Sequence, residues 1–203
     1  MTRLKILFIL TALLFLSACS DKQPGLPVLS ANAVILAYGD SITAGNGAPP
    51  EQNYPSLLAE KLQRTVINAG VPGEISANGL KRLPALLDKH QPTLLILCHG
   101  GNDMIHKLGA NELANNLRAM IDEAISRNIN VVLIGVPKPG LFLESLDIYD
   151  QIAAEYNLPL EREIVPKVLA DNALKSDLIH PNARGYSMIA DSIYFLLQKN
   201  GAI

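Results

Sequence analysis

The stretch AVILAYGDSIT, residues 33–43, decides the fold of this chain. Its first part, Ala33–Tyr38, is an almost uninterrupted apolar run, which is the pattern of a strand covered on both faces of a parallel sheet. Gly39 and Asp40 break that run, so Ser41 falls at the carboxyl end of the predicted strand. In open α/β sheets, ligands bind just beyond the carboxyl ends of the strands. Ser41 is therefore a turn former, a helix cap or a nucleophile.

Strand and helix patterns alternate over the rest of the chain. Strands are predicted near 33–38, 65–69, 93–98 and 131–136, with a weaker one near 160–165, and helices near 52–63, 76–89, 112–128, 143–156 and 183–199. This alternation indicates parallel pairing with right-handed crossovers. We therefore expect an α/β fold, a three-layer α/β/α sandwich around a mostly parallel sheet of about five strands. Pro84 predicts a kink or a restart within its helix.

Composition restricts the possible functions. The chain has 203 residues, of which 49% are hydrophobic and 18% charged, which suits one domain with a substantial core. A net charge of −2 gives no electrostatic reason to expect nucleic-acid binding. The segment Gly39–Gly47 matches neither the dinucleotide fingerprint nor the P-loop, which disfavours a nucleotide-binding module. We expect a monomer that uses neither a cofactor nor a metal.

The N-terminus reads as a targeting segment. Ile6–Leu16 is an apolar stretch behind two basic residues, too short to span a bilayer comfortably but right for a signal-peptide core. The following Leu16–Cys19 (LSAC) resembles the bacterial lipobox, in which the cysteine is diacylated and becomes the new N-terminus. An ordinary secretory signal with a chance cysteine is the alternative. The prediction divides the chain into a lipoprotein signal peptide (1–18), a lipidated N-terminus with its tether (19–32) and one domain (33–203).

Lipidation at Cys19 predicts a location. The lipid would hold the domain at a membrane surface of the bacterial cell envelope, facing the periplasm. Ser20, rather than aspartate, follows the cysteine, which favours the outer membrane over the inner one. Lipidation would also leave Cys98 as a single thiol with no intramolecular disulfide.

Three further blocks accompany the first one, Gly39–Thr43. Asn68–Gly73 closes the second predicted strand, Gly100–Asp103 follows the third, and Asp177–Asn182 lies near the C-terminus. Together the four blocks resemble, in order and over nearly the whole mature chain, the GDSL or SGNH hydrolases. Spacing and size are most similar to the bacterial periplasmic thioesterase I, arylesterase and lysophospholipase group. One departure is Ile42, where the family name expects leucine, an apolar exchange that changes packing rather than chemistry.

Four histidines are candidates for the base that a serine nucleophile requires. His90 lies in a polar helix-end segment, and nothing in the sequence orients His106. His99 adjoins the third block and is either a rival base or a strand-end residue that supports the loop. His180 is preferred because Asp177, three residues upstream, can accept a hydrogen bond from the imidazole Nδ1.

The resemblance implies a role for each remaining site residue. It implies a Ser-His-Asp acyl-enzyme mechanism carried by Ser41, His180 and Asp177. It also implies three oxyanion donors, namely the backbone N–H groups of Ser41 and Gly73 and the side-chain amide of Asn102. Local sequence alone leaves Gly73 and Asn102 as ordinary turn and loop residues.

Three other side chains near these blocks are interpreted as supporting ones. Asp40 and Asp103 are expected to brace their loops through local hydrogen bonds. Cys98 ends an apolar strand and is most simply a small core residue. Its use as a nucleophile would need an electropositive, accessible site.

The resemblance implies a serine hydrolase of acyl or aryl carboxylic esters, with acyl thioesters and lysophospholipids as further substrates. The apolar segment 137–143 favours a hydrophobic acyl group. One alternative is a carbohydrate O-acetylesterase, disfavoured because the chain has no Trp and only 5% aromatic residues for a sugar platform. The other is a non-catalytic binding lipoprotein, disfavoured because the serine, asparagine, aspartate and histidine of the blocks are all present.

Overall fold

The computed structural model describes residues 25–138, 140 and 143–203. The predicted signal peptide, the lipidation residue Cys19 and part of the apolar segment 137–143 lie outside the described residues. Within them, the strands are β1 (Val34–Gly39), β2 (Thr65–Gly70), β3 (Leu94–Cys98), β4 (Asn130–Ile134) and β5 (Leu160–Glu161). The helices are α1 (Ser41–Ala44), α2 (Tyr54–Leu62), α3 (Ser76–His90), α4 (Gly101–Ile105), α5 (Ala110–Ile125), α6 (Asp147–Tyr156), α7 (Ile164–Ala170) and α8 (Ala183–Lys199), with 3₁₀ turns at Pro50–Gln52 and Asn172–Leu174.

The five strands form one parallel sheet in the order β2-β1-β3-β4-β5. Helix α2 packs against α8 on one face, and α3, α5 and α6 form the layer on the other. The predicted three-layer α/β/α architecture is thereby confirmed. This strand order places the topological switch point between β1 and β3, where open α/β sheets bind their ligands. The blocks that follow β1 and β3 therefore meet at one edge of the sheet.

The central strands follow directly from their sequences. Every residue of β3, and every residue of β1 after Val34, is buried, as the continuous apolar runs predict. The amphipathic pattern of α8 buries Ile189, Ile193 and Leu197 against the sheet. These contacts fix the scaffold on which the loops at the carboxyl edge are mounted.

Two local predictions differ from the structure. Helix α3 runs without a break from Ser76 to His90, so the expected restart at Pro84 is wrong. The strand predicted near 160–165 is only two residues long, and α7 begins at Ile164. The β-branched, apolar start of α7 favours a strand on propensity, but all but two of its residues are buried in tertiary contacts, which override that preference.

The residues before β1 are fixed to the domain at the end opposite the carboxyl edge. The amide of Leu26 donates to the Asn200 carbonyl, and the amide of Leu29 donates to that of Ala202, both at 2.8 Å. The Arg64 guanidinium donates to the carbonyls of Leu29 and Ser30. The segment predicted as a tether is thus ordered from Leu26 onward. Among the described helices, none combines the length and apolar character needed to cross a bilayer.

Candidate active site

Ser41 is the first residue of α1, directly beyond the carboxyl end of β1. The carboxylate of Asp40 caps this short helix by accepting from the Ile42 amide at 3.1 Å. Gly39 is required because a Cβ there would lie 2.0 Å from the Cys98 carbonyl oxygen of β3. The close approach of the two strands, followed at once by a capped helix, presents the Ser41 hydroxyl at the edge of the sheet.

The structure brings Ser41, His180 and Asp177 into one hydrogen-bonded chain. The Ser41 Oγ lies 3.0 Å from His180 Nε2, and His180 Nδ1 lies 2.7 Å from Asp177 Oδ2. The serine and the histidine are 139 residues apart in sequence, so the fold alone creates this contact. A hydroxyl, an imidazole and a carboxylate in this order can activate the hydroxyl as a nucleophile.

Asp177 is held by the turn that carries it. Its Oδ1 accepts from the backbone amides of Ile179 and His180, each at 2.9 Å, and the Ser176 amide donates to the His180 carbonyl to close the turn. Slight burial raises the pKa of Asp177, but the hydrogen bonds from the His180 ring and the two amides outweigh it and lower the pKa below its ordinary value. The acid is therefore ionised at neutral pH and faces the imidazole as a carboxylate.

Two of the three expected oxyanion donors lack an acceptor among the described residues, namely the backbone amides of Ser41 and Gly73. Gly73 has a φ of +77° in the turn Val71–Glu74, and the Glu74 amide donates to the Val71 carbonyl at 3.1 Å. These are the features of a type II turn, which favours proline and then glycine at its centre. A Cβ on Gly73 would meet nothing within 4 Å, so the turn conformation, not crowding, requires the glycine.

The third expected donor, Asn102, lies in α4 just beyond β3. Its side-chain amide donates to the Glu74 carbonyl at 3.0 Å and lies 3.5 Å from Asp40 Oδ2. The blocks after β1, β2 and β3 thus converge, and Asn102 contacts the turn that contains Gly73. Sequence analysis missed Glu74; the available signal was an acid directly after the candidate oxyanion glycine.

Asp40 and Asp103 brace the site, but only Asp40 does so locally. Asp40 is 2% exposed, and its burial raises the pKa of its carboxyl group, a rise that the His99 charge and the bond from the Ile42 amide oppose. Asp103 instead accepts from the amide and hydroxyl of Ser76, 27 residues away at the start of α3. The expectation of a local contact was wrong for Asp103, which ties α4 to α3.

Neither the other histidines nor Cys98 form a hydrogen bond with the Ser41 hydroxyl among the described residues. His99 is fully buried and contacts Glu74 through Nε2 at 3.3 Å, so it occupies the supporting position and not that of a base. His90 is half-buried at the end of α3, and His106 is exposed at the end of α4. Burial raises the pKa of the Cys98 thiol far above its ordinary range, which keeps it protonated and inert.

A cavity of about 370 Å³ opens beside Ser41. Most of the side chains that line it are apolar, including Ile105, Val136, Leu143, Leu169 and Ile179. Leu178, between the acid and the histidine, is 88% exposed at its rim. The cavity can accept an apolar group with one polar end next to the hydroxyl. The described residues contain no cluster of three or more His, Cys, Asp or Glu side chains that could hold a metal ion.

Comparisons with known proteins show which proteins the chain is similar to. The family model described as "GDSL-like Lipase/Acylhydrolase family" matches residues 37–188. The chain is 32% identical over 165 residues to thioesterase 1/protease 1/lysophospholipase L1 of Escherichia coli K12, covering 77% of this chain and 79% of that protein. It is 30% identical over 174 residues to an arylesterase of Vibrio mimicus, covering 80% and 87%. The crystal structure of the psychrotrophic esterase EstA from Pseudoalteromonas sp., inhibited by monoethylphosphonate, has a TM-score of 0.75 at 26% identity and covers 83% of this chain and 98% of its own.

Proposed function

The chain belongs to the GDSL-like Lipase/Acylhydrolase family and is an ester-hydrolysing serine hydrolase, and we propose that it forms an acyl-enzyme on Ser41. The observation that carries this proposal is the unbroken chain of contacts from the Ser41 hydroxyl through His180 to Asp177. His180 is the general base and Asp177 orients its ring. The contacts fit this assignment atom by atom, since the Nδ1–H donates to the carboxylate and leaves Nε2 as the acceptor.

The reaction proceeds in two halves. The Ser41 Oγ attacks the substrate carbonyl while its proton passes to His180 Nε2, and the imidazolium then gives that proton to the leaving oxygen or sulfur, which departs as an alcohol, phenol or thiol. Water next attacks the acyl-enzyme and gives a proton to Nε2, and the imidazolium then returns a proton to the Ser41 Oγ as the acid product leaves. Asp177, ionised throughout, stabilises the imidazolium in both halves.

The developing oxyanion is stabilised by three donors. The backbone amides of Ser41 and Gly73, which have no acceptor among the described residues, support this role, and the Asn102 side chain contacts the turn that contains Gly73. Fixed donors placed in advance need no reorganisation when charge develops on the substrate oxygen. Loss of one such donor costs about 10²–10³ in kcat.

The substrate is an ester or thioester with a hydrophobic acyl or aryl group. The apolar lining of the cavity supports this, as do the names of the Escherichia coli and Vibrio relatives. Lysophospholipids belong to the same class because they join one acyl chain to a polar alcohol. A carbohydrate acetyl ester would leave most of the apolar cavity empty, which disfavours the O-acetylesterase alternative.

A fluorophosphonate probe tests the nucleophile. The purified domain should be labelled once, on Ser41, and Ser41→Ala should abolish labelling and the hydrolysis of p-nitrophenyl esters. Cys98→Ala is the matched control and should keep both. Turnover that survives in Ser41→Ala would refute the assignment. Comparing p-nitrophenyl esters of increasing chain length with acyl-CoA and acetylated sugars identifies the acyl preference.

We also propose that Cys19 carries a lipid that holds the domain at the periplasmic face of the outer membrane. This rests on the sequence around the cysteine, from the apolar core to Leu16–Cys19 and Ser20. A diacylated cysteine supplies the two chains that firm anchoring requires. Cys19→Ser should release the protein from the membrane fraction and change its mobility, and unchanged fractionation would refute the anchor.

A further inference from the structure

Three ionisable side chains form a cluster behind the turn that contains Gly73. The carboxylate of Glu74 accepts two hydrogen bonds from Arg82, from Nε at 2.9 Å and from Nη2 at 2.7 Å, and contacts His99 Nε2 at 3.3 Å. Glu74 is 8% exposed and His99 is fully buried. A bidentate pair of this kind fixes orientation as well as supplying energy.

The cluster is joined to α3 and to three strands of the sheet. Arg82 projects from α3, donates to the Ala69 carbonyl of β2 at 3.0 Å, and lies 4.3 Å from the ring centroid of Tyr38 in β1. His99 follows β3 and fits against α3 because Gly79 has no side chain; a Cβ there would lie 2.5 Å from Nε2. The carboxylate of Glu74 is therefore held relative to the sheet and to α3 at once.

The charge state of Glu74 suits this role. Burial raises the pKa of its carboxyl group, but the hydrogen bonds from His99 and Arg82 outweigh it and lower the pKa to about 2. Glu74 is thus an anion at neutral pH. None of the three side chains lines the described part of the cavity beside Ser41, so they do not contact substrate there.

The main chain of Glu74 connects this cluster to two oxyanion donors. Gly73 directly precedes Glu74 in the turn, and the Glu74 carbonyl accepts the side-chain amide of Asn102 at 3.0 Å. A shift of Glu74 would therefore move the Gly73 amide and release the Asn102 amide together.

We propose that Glu74, Arg82 and His99 form a positioning cluster that holds the Gly73 and Asn102 donors in the geometry of the transition state. The inference rests on the proposed function, since it takes these two groups as oxyanion donors. Donors that act only on the developing oxyanion affect kcat, whereas groups that bind substrate and transition state equally affect KM. The cluster should therefore control kcat.

Glu74→Gln is the central test, because it keeps the size of the side chain and removes its charge. Fluorophosphonate titration of Ser41 gives the concentration of active sites. Because kcat is then expressed per active site, unfolded molecules in the sample do not lower its measured value. We expect kcat per site to fall about tenfold to a hundredfold, less than or equal to the loss of one whole donor, with KM changed less than about twofold. Glu155→Gln is the matched control, because it removes the charge from the Arg118–Glu155 pair between α5 and α6 (2.8 Å), and it should leave kcat unchanged.

Arg82→Lys provides a second variant should Glu74→Gln not fold. It keeps the positive charge but loses the two-point contact, and a smaller fall in kcat per site is expected. A wild-type kcat in Glu74→Gln would overturn the positioning role, as would a rise in KM without a fall in kcat. If Glu74→Gln does not fold, the same outcomes in Arg82→Lys would overturn it. Those outcomes leave the proposed function standing if Ser41→Ala is inactive. An active Ser41→Ala would instead overturn the proposed function itself.

Discussion

Gly73→Ala separates the contribution of one backbone amide from the stability of the turn that carries it. The φ of +77° is costly for a residue with a Cβ, by about 1–2 kcal/mol. Nothing lies within 4 Å of the added Cβ, so crowding by the protein adds nothing to that cost. A turn that rotates its central peptide to relieve the strain takes the Gly73 N–H away from the substrate oxygen, and a turn that keeps its conformation places the added Cβ beside that N–H, where it should obstruct the substrate.

Two magnitudes follow from this geometry. For a domain of this size, 1 kcal/mol corresponds to about 2–4 °C in Tm, so the melting temperature should fall by about 2–8 °C. Loss of one oxyanion donor should lower kcat by about 10²–10³. Circular dichroism measures the first quantity and p-nitrophenyl ester hydrolysis the second, both well below the melting temperature so that the variant is fully folded.

Gly201→Ala is the matched control. Gly201 has a φ of +80° and is exposed at the end of the domain opposite Ser41, and a Cβ added to it would meet only the Leu26 carbonyl oxygen, at 3.8 Å. It should lose similar stability and keep wild-type kcat. If Gly73→Ala keeps its kcat while losing the same stability, the Gly73 amide is not an oxyanion donor and the reasoning is refuted.

Three other predictions follow from contacts already described. In ester-hydrolysis assays, His180→Ala should lower kcat by orders of magnitude and Asp177→Asn by less, because the acid only orients the ring. Equal losses in the two variants would contradict these roles, as would a comparable loss in the control His106→Ala. The folded pKa of Glu74, about 2, lies below its ordinary 4.5, so its stabilisation is complete above about pH 4.5 and is lost as the pH falls towards 2. Urea titrations should show the difference in unfolding free energy between wild type and Glu74→Gln shrinking over that window, and a constant difference would contradict it. Val136→Phe should fill part of the cavity and reduce kcat/KM for long acyl esters more than for the acetate; an equal reduction for both would place the acyl group elsewhere.

The sheet could be predicted because its signal is local and strong. The apolar runs of β1 and β3 are typical of buried parallel strands. The first and last residues of these two strands differ from the predicted ones by at most one residue. The turn residues that follow each strand then mark the carboxyl edge without further information. Helix α7 was missed because β-branched residues at its start favour a strand, and only tertiary burial decides otherwise.

The residues proposed to carry out the reaction could be predicted from the sequence, but the contacts that hold them in place could not. Ser41, His180 and Asn102 lie in blocks that a family resemblance makes visible from the sequence. The partner of Asp103 was not visible, because Ser76 lies 27 residues away and is brought near only when α3 and α4 pack. Glu74 was not predicted for the same reason. Its partners, Arg82 in a helix and His99 at a strand end, are brought together only by the fold.

The fixed course of the chain before β1 determines which way an anchored enzyme would face. Leu26 is bound to Asn200 at the amino edge of the sheet, whereas Ser41 lies at the carboxyl edge, one strand length or about 20 Å away. The seven residue steps from Cys19 to Leu26, at about 3.5 Å each, span at most about 25 Å, so only a nearly fully extended tether would bring the lipid level with the carboxyl edge. A lipid on Cys19 would therefore draw the amino edge toward its own bilayer and turn the mouth of the cavity outward. Such an enzyme would take its esters from the aqueous space on the side of the domain away from the bilayer. Lipids of the leaflet that holds the anchor would face the opposite side of the domain from the cavity.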